Sequence, residues 1–320
     1  MILVCGSLAD PVTELVCARL RSCGDDYRLI ELAQFPERYR LAWRAMVDGA
    51  DGWISGPDWR LDLSEISGVY VRFLGPEDRP TPSGVDAADA AALRSEADLA
   101  LMALLEALPC PVVNRVSGGV SNNSKPYQGL LISRGGALRA PPTLVTSDPA
   151  AVRAFQAEHG TLIYKSASGI RSIVRRLGPE QLERLEHLRD GPAHLQAFIP
   201  GRNIRAHTVG DRVFATRIDS EAVDYRYAHL DGADATLEPT KLPAAIEAAC
   251  LRLAEDLDLL FAGIDLKETP DGDFYCFEVN PCPGFLYYER QTGQPISTAL
   301  AELLRGSSAD LPRHAAYATT

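Results

Sequence analysis

The chain has 320 residues, 46% hydrophobic and 23% charged, a balance that suits a soluble globular protein of two or three small domains. Its 32 Lys and Arg against 43 Asp and Glu give a formal charge of −11. Such a field argues against wholesale nucleic-acid binding, while leaving room for one phosphorylated small molecule held by local cations. No apolar run approaches the roughly 18 residues of a membrane span. The opening MILVCGSLADP lacks a basic n-region and a cleavage-site pattern, so the expectation is a cytoplasmic protein with no membrane partner. The seven cysteines form no CxxC pair and are odd in number, which reads as reduced thiols, mostly buried, rather than a disulfide framework.

In chain order, the apolar run 2–5 ends at Gly6, and Asp10-Pro11 then opens a helix on which Val12, Leu15, Val16, Leu20 and Cys23 recur at helical spacing. A strand–turn–helix start of this kind predicts an α/β domain with a parallel sheet. Short apolar segments follow at 27–32, 53–55 and 69–74, with a Pro/Gly/Ser-rich loop at 75–84. A long Ala/Leu helix is expected over 86–108, with Leu93, Ala97, Leu101, Leu104 and Leu108 on one stripe and Pro109 and Pro111 stopping it. The segment 115–124 reads as polar and glycine-bearing.

Asp148-Pro149 opens a short helix that Gly160 closes. Strands are expected at 161–165 and 171–177, a small helix from Pro179, and a strand over 194–199. Asn203 to Ile218 reads as a hairpin turning at Gly210-Asp211. A helix over 243–258 leads into a second hairpin, 261–280, and a last helix begins near Pro295.

That second hairpin carries the chemistry. Counting back from the Pro270-Asp271-Gly272 turn sets Asp265 almost across from 277–278, while Glu278 and Asn280 share one face and Phe277 and Val279 the other. Asp265, Glu278 and Asn280 can therefore converge as oxygen ligands for Mg²⁺, which completes its octahedron with water and substrate phosphates. A solvated acidic strand face is the bland alternative, set against carboxylates lying inside very apolar strands. Lys165 is followed by Ser166-Ala167-Ser168-Gly169, where a cation beside small hydroxyl and glycine residues can hold polyphosphate, and Lys125 in Asn-Asn-Ser-Lys-Pro is a second candidate, though taken alone each reads more readily as a surface lysine. Neither lies in a GxxxxGK[ST] loop, and Gly6 is not part of a GxGxxG fingerprint. Arg202, Arg205, Arg217 and Arg226 cluster mid-way through the C-terminal half. Arg205 and His207 alternate outward on one strand with Arg217 on the next, as carboxylate or phosphate binders or as a charged sheet face. No nucleophile set emerges, and Cys282 reads as core packing.

These segments together resemble the ATP-grasp superfamily. The resemblance rests on 122–126 (NNSKP), 142–146 (PTLVT), 164–166 (YKS), 196–201 (QAFIPG), 203–205 (NIR), 262–266 (AGIDL) and 278–285 (EVNPCPGF), in that order. Within it the pattern is similar to the RimK-like branch. IDS at 218–220, DYR at 224–226 and VYVR at 69–72 bring it closer to the microviridin-type (graspetide) peptide ligases.

The resemblance implies an α/β and α+β fold. A pre-ATP-grasp, Rossmann-like domain over 1–112 would be followed by a two-subdomain ATP-grasp fold (113–190 and 191–306) and a tail, 307–320. It also implies Lys125 and Lys165 on the phosphates, Gln196, Ala197, Phe198 and Ile199 along the adenine hinge, and Asn203 where many relatives carry Asp for the ribose. Asp265, Glu278 and Asn280 would hold Mg²⁺ (or Mn²⁺), and Arg205 and Arg226 would face the substrate carboxylate and its acyl-phosphate. The implied activity is an ADP-forming ligation of a carboxylate to an amine or hydroxyl, with a precursor peptide as the favoured substrate, by a homo-oligomer (dimer or tetramer). The alternatives are a RimK-like amino-acid ligase, an ATP-grasp kinase and a non-catalytic ATP-binding protein.

Overall fold

The computed structural model describes residues 1–73, 84–134, 136–165, 174–220 and 235–306. Their contacts divide the chain into two units, Met1–Ser117 with the chain from Pro295, and Gly118–Gln294.

In the first unit, β1 (Ile2–Gly6) is buried along its whole length, as a central strand covered on both faces must be. Asp10 caps α1 (Pro11–Ser22), accepting from the Thr13 amide at 2.8 Å, and Val12, Val16, Cys17 and Leu20 form its buried stripe. β2 (Tyr27–Glu31) follows. Then come three antiparallel strands, β3 (Arg40–Met46), β4 (Gly49–Ser55) and β5 (Arg60–Asp62), of which the sequence shows only the apolar stretch at 53–55. The side chains of β3 are mostly exposed, so no apolar alternation marks it. β6 (Gly68–Val71), α2 (Ala87–Ala107) and β7 (Val112–Val113) complete a parallel sheet of order β2-β1-β6-β7.

Asp86 caps α2, and Arg115 closes its other end, donating to the carbonyls of Leu105, Glu106, Leu108 and Cys110. The expected α2 stripe holds only in its second half. Leu101, Leu104, Leu105 and Leu108 are buried, whereas Leu93 is 59% exposed.

The second unit takes up the chain within α3 (Val116–Gly119) and continues into α4 (Lys125–Arg134). β8 (Thr143–Thr146) precedes α5 (Pro149–His159), which starts at the Asp148 cap and stops at Gly160, where φ is 73°. β9 (Leu162–Lys165), β10 (Arg175–Arg176), α6 (Pro179–Glu183) and β11 (Ala193–Ala197) follow. Their sheet has the order β10-β9-β11-β8. Val152, Leu162, Leu185 and Leu195 form a small core on one of its faces.

β12 (Arg202–Val209) and β13 (Arg212–Ser220) form the hairpin around Gly210. After them come β14 (Ala235–Thr240), α7 (Ala244–Asp256), β15 (Phe261–Glu268), β16 (Phe274–Asn280) and α8 (Leu286–Thr292). The sheet is antiparallel with the order β14-β13-β12-β15-β16. The α7 residues Ile246, Cys250 and Leu253 pack with Ile204, Ala206, Ile264, Val279 and others as the main core of this unit.

The last helix, α9 (Ile296–Leu304), returns to the first unit and packs on α1 and β6. Arg19 Nε donates to Ser297 Oγ at 3.0 Å, and Arg305 forks onto Asp25 at 2.7 and 2.8 Å. Among the described residues no helix is long and apolar enough to cross a membrane.

Candidate functional site

β15 and β16 pair with Gly263 opposite Asn280 and Asp265 opposite Glu278, but Leu266 then pairs with Cys276. Phe277 is thus the extra residue of a β-bulge. The bulge changes the face assignment read from strict alternation. Phe274, Cys276 and Val279 point into the α7 core, whereas Phe277 lies outside that core, with its ring centre 5.9 Å from Lys267 Nζ. Glu278 and Asn280 keep the company of Asp265, so two carboxylates and an amide oxygen meet at one end of the hairpin.

Each carboxylate is matched by a cation from elsewhere in the unit. Lys125 Nζ, at the start of α4, donates to Glu278 Oε1 at 3.1 Å, and Arg205 Nη1, on β12, donates to Asp265 Oδ1 at 2.6 Å. Both cationic side chains are 7% exposed, and buried charges persist only when paired in this way. Arg205 can lie over the strand because residue 263 is glycine. A Cβ there would fall 2.1 Å from Arg205 Nη2 and 2.7 Å from Pro283 Cβ.

β16 is an edge strand, and its outward backbone groups are covered. Gln128 Nε2 donates to the Val279 carbonyl at 2.8 Å, and the Val279 amide donates to Gln128 Oε1 at 2.9 Å. Arg139 pairs through its backbone with Phe274 and Cys276. The Gln128 amide therefore stands in for a neighbouring strand and fixes α4, with Lys125 one turn earlier, beside Glu278.

On the smaller sheet, register puts Lys165, His194, Gln196, Ile163 and Thr143 on one face, with Leu195, Tyr164 and Leu144 on the other, against its core. Gln196 Nε2 donates to Thr143 Oγ1 at 3.0 Å, while its buried Oε1 has no partner among the described residues. Ala197 donates its amide to the Pro142 carbonyl and Phe198 to that of Thr161. The Arg176 guanidinium lies 4.5 Å from the Phe198 ring centre, and Lys267 Nζ 5.5 Å from it. Burial, and then the Arg176 charge, hold the Lys267 ammonium below the ordinary lysine range.

Of the sequence-predicted site residues, Asp265, Glu278, Asn280, Lys125 and Arg205 come together. Lys165 and Gln196 share a face of the smaller sheet. Ala197 ends β11, with Phe198 and Ile199 just beyond it, and Asn203 lies on β12, opposite Lys267. Ser166, Ser168 and Arg226 lie outside the described residues. The outward orientation read for Arg205 and His207 is corrected: both are buried, because α8 and the 281–285 segment cover that face, with Tyr288 against His207 and Pro283 close above Gly263. Arg217 sits on the opposite face and is used by Asp219 and Glu238. Cys282 is exposed rather than packed in the core, its amide donating to Asn280 Oδ1 at 2.9 Å. Lys267, Arg176 and Gln128 carry no signal in the sequence, and Phe277 enters it only on the face of Val279, from which the bulge removes it.

The groups present fit a nucleotide and a hard divalent ion. Gln196 Oε1 is an orphan acceptor of the kind an exocyclic amine satisfies, and Phe198 and Phe277 offer ring surfaces. Among the described residues no three His, Cys, Asp or Glu side chains gather as a metal cluster. Two carboxylates and one amide oxygen are a donor set for Mg²⁺, with phosphate and water oxygens completing it.

No protein-family model and no curated protein sequence matches the chain. Solved structures do. The chain is similar to macrocyclase MdnC from Microcystis aeruginosa MRC, bound with precursor peptide MdnA, at 25% identity over 95% of this chain and 99% of that one, with a TM-score of 0.78. It is similar to the ATP-grasp ligase PsnB, complexed with a phosphomimetic variant of its minimal precursor, Mg and ADP, at 28% identity, 95% and 97% coverage and a TM-score of 0.76. D-alanine–D-alanine ligase from Bacillus anthracis shares the fold alone, at 14% identity, 95% coverage of both chains and a TM-score of 0.57. The mixed α/β architecture is thus the ATP-grasp fold.

Proposed function

Starting from a chain with the fold of the ATP-grasp ligases, we propose an ATP-dependent, ADP-forming ligase that activates a side-chain carboxylate of a precursor peptide and joins it to a hydroxyl or amine of that peptide. One observation carries this reading. Asp265, Glu278 and Asn280 converge with Lys125 and Arg205 at one hairpin end, in a chain similar along 95% of its length to peptide-bound ATP-grasp ligases.

In this reading Asp265, Glu278 and Asn280 hold Mg²⁺ (or Mn²⁺), whose charge, when bound, draws electron density from the terminal phosphates of ATP. Lys125 and Lys165, with Ser166 and Ser168, hold the phosphates. Gln196 to Ile199 line the adenine, and Asn203 the ribose. Arg205 and Arg226 orient the carboxylate so that its oxygen attacks the γ-phosphorus as the bond to ADP breaks. The hydroxyl or amine then attacks the acyl carbon, loses its proton, and phosphate leaves. No side chain of the enzyme needs to become covalently bound, which accords with the lack of a nucleophile set.

The test is co-expression with a short peptide rich in Thr, Ser, Asp and Glu encoded beside the gene, followed by mass spectrometry and an ADP assay. Loss of one water per link with matching ADP is the expected result. A peptide that gains phosphate without condensing would make the chain a kinase, and addition of a free amino acid would make it a RimK-like ligase. A cytoplasmic homo-oligomer completes the proposal, with light scattering as its check.

A further inference from the structure

The Arg205 guanidinium is enclosed from several directions. Asp265 Oδ1 lies 2.6 Å from Nη1, and the Tyr288 ring centre lies 5.9 Å from Cζ. The bare backbone of Gly263 lies under Nη2, and His207 Nε2 sits 3.5 Å from Nε. His207 is two residues along β12 from Arg205 and fully buried, with Tyr288 edge-on at 4.9 Å and Phe261 stacked at 6.3 Å. Burial, and secondarily the Arg205 charge, keep its imidazole neutral, so Nε2 presents a lone pair to Arg205 Nε–H. Nδ1 has no partner among the described residues. An orphan polar nitrogen in a buried aromatic cluster costs stability that a leucine or phenylalanine would not. What that imidazole supplies in return is the acceptor facing Arg205.

We propose that His207 is a positioning residue for Arg205. Its Nε2 accepts from Arg205 Nε and, with Tyr288 and Gly263, fixes the guanidinium plane in the orientation from which Arg205 serves the transferred phosphoryl group. The proposal rests on the reading of Arg205 given under Proposed function. A 3.5 Å contact is too long to hold an arginine by strength. Its part is to select one rotation of the guanidinium alongside the Asp265 contact.

Two measurements on the full chain test it. The first is binding of MgADP with and without fluoroaluminate, a mimic of the phosphoryl group, for wild type, Arg205→Lys, His207→Leu and His207→Gln. Fluoroaluminate should tighten wild-type binding. His207→Leu should lose about tenfold of that gain, with MgADP alone changed by less than about twofold, and His207→Gln should recover most of it. Arg205→Lys losing the gain while His207→Leu keeps it would overturn the proposal. No gain in wild type, or a gain kept in Arg205→Lys, would instead remove the assignment of Arg205 itself. The second is the NMR signal of Arg205 Nε–H in the nucleotide-free protein, assigned by its loss in Arg205→Lys. It should shift and exchange faster in His207→Leu and return in His207→Gln. A signal that ignores both substitutions refutes the positioning role whatever the nucleotide does.

Discussion

Lys125 and Glu278 stand 153 residues apart in the chain, yet their side chains meet at 3.1 Å with 7% and 18% of their surfaces exposed. One is delivered by the first turn of α4 and the other by an edge strand, and the Gln128–Val279 amide pairing ties the two elements together. The pair places a cation beside a proposed metal ligand, so loss of either member should be felt both in the chemistry and, through the charge left unpaired, in stability.

Glu278→Gln and Asp265→Asn should each lower ADP formation with peptide by about 100-fold or more, because each removes an anionic oxygen from the metal set. Circular dichroism at 25 °C should still report a folded chain, with a lower unfolding midpoint because Lys125 or Arg205 loses a buried partner. Normal turnover in either variant would end the metal assignment.

Gln128→Leu should destabilise the chain by about 2–4 kcal/mol, since it leaves the Val279 N–H and C=O without partners in a buried setting. Urea unfolding measures this. An unchanged midpoint would mean that the clamp is dispensable.

Phe277→Ala should weaken nucleotide binding about 5- to 10-fold by removing a ring surface beside Lys267. A fluorescent ATP analogue reports it, and wild-type affinity would place the base elsewhere.

His207 gives stability a pH dependence whose sign follows from its depressed pKa. Above about pH 6.5 the imidazole is neutral folded or unfolded and contributes no slope. As pH falls below that value the unfolded chain takes up a proton that the buried ring refuses, so stability drops, by at most about 1.4 kcal/mol per pH unit, until the native pKa is reached. The difference in unfolding free energy between wild type and His207→Gln should therefore slope between pH 6.5 and 5 and be flat from 7 to 8. A constant difference across that range would show that His207 takes up its proton alike in both states.

Much of the fold was legible because its signals are local. Asp10-Pro11 and Asp148-Pro149 open helices by presenting a carboxylate to free amides, and Gly160 and Gly210 turn the chain at positive φ. The Asp265–Glu278 pairing was within reach for the same reason, since a tight turn joins the two strands and counting from it gives the register. The phase of Phe277 was not, because a bulge is a one-residue departure that alternation alone does not announce. β3 escaped notice because a strand with mostly exposed side chains has no apolar rhythm.

By itself the sequence determined the 203–218 and 261–280 hairpins, the helix starts after Asp10 and Asp148, the placing of Asp265 across from Glu278, and the ordered motifs that carry the ATP-grasp resemblance. Each of these depends on residues a few positions apart, or on their order along the chain. Only the tertiary structure decided that Lys125 answers Glu278, that Arg205 and His207 are buried under Tyr288 while Arg217 faces the other way, and that α9 returns to the first unit. Those pairings join segments up to hundreds of residues apart. They are chosen by how whole elements pack their apolar faces, a collective property that no short stretch of sequence contains.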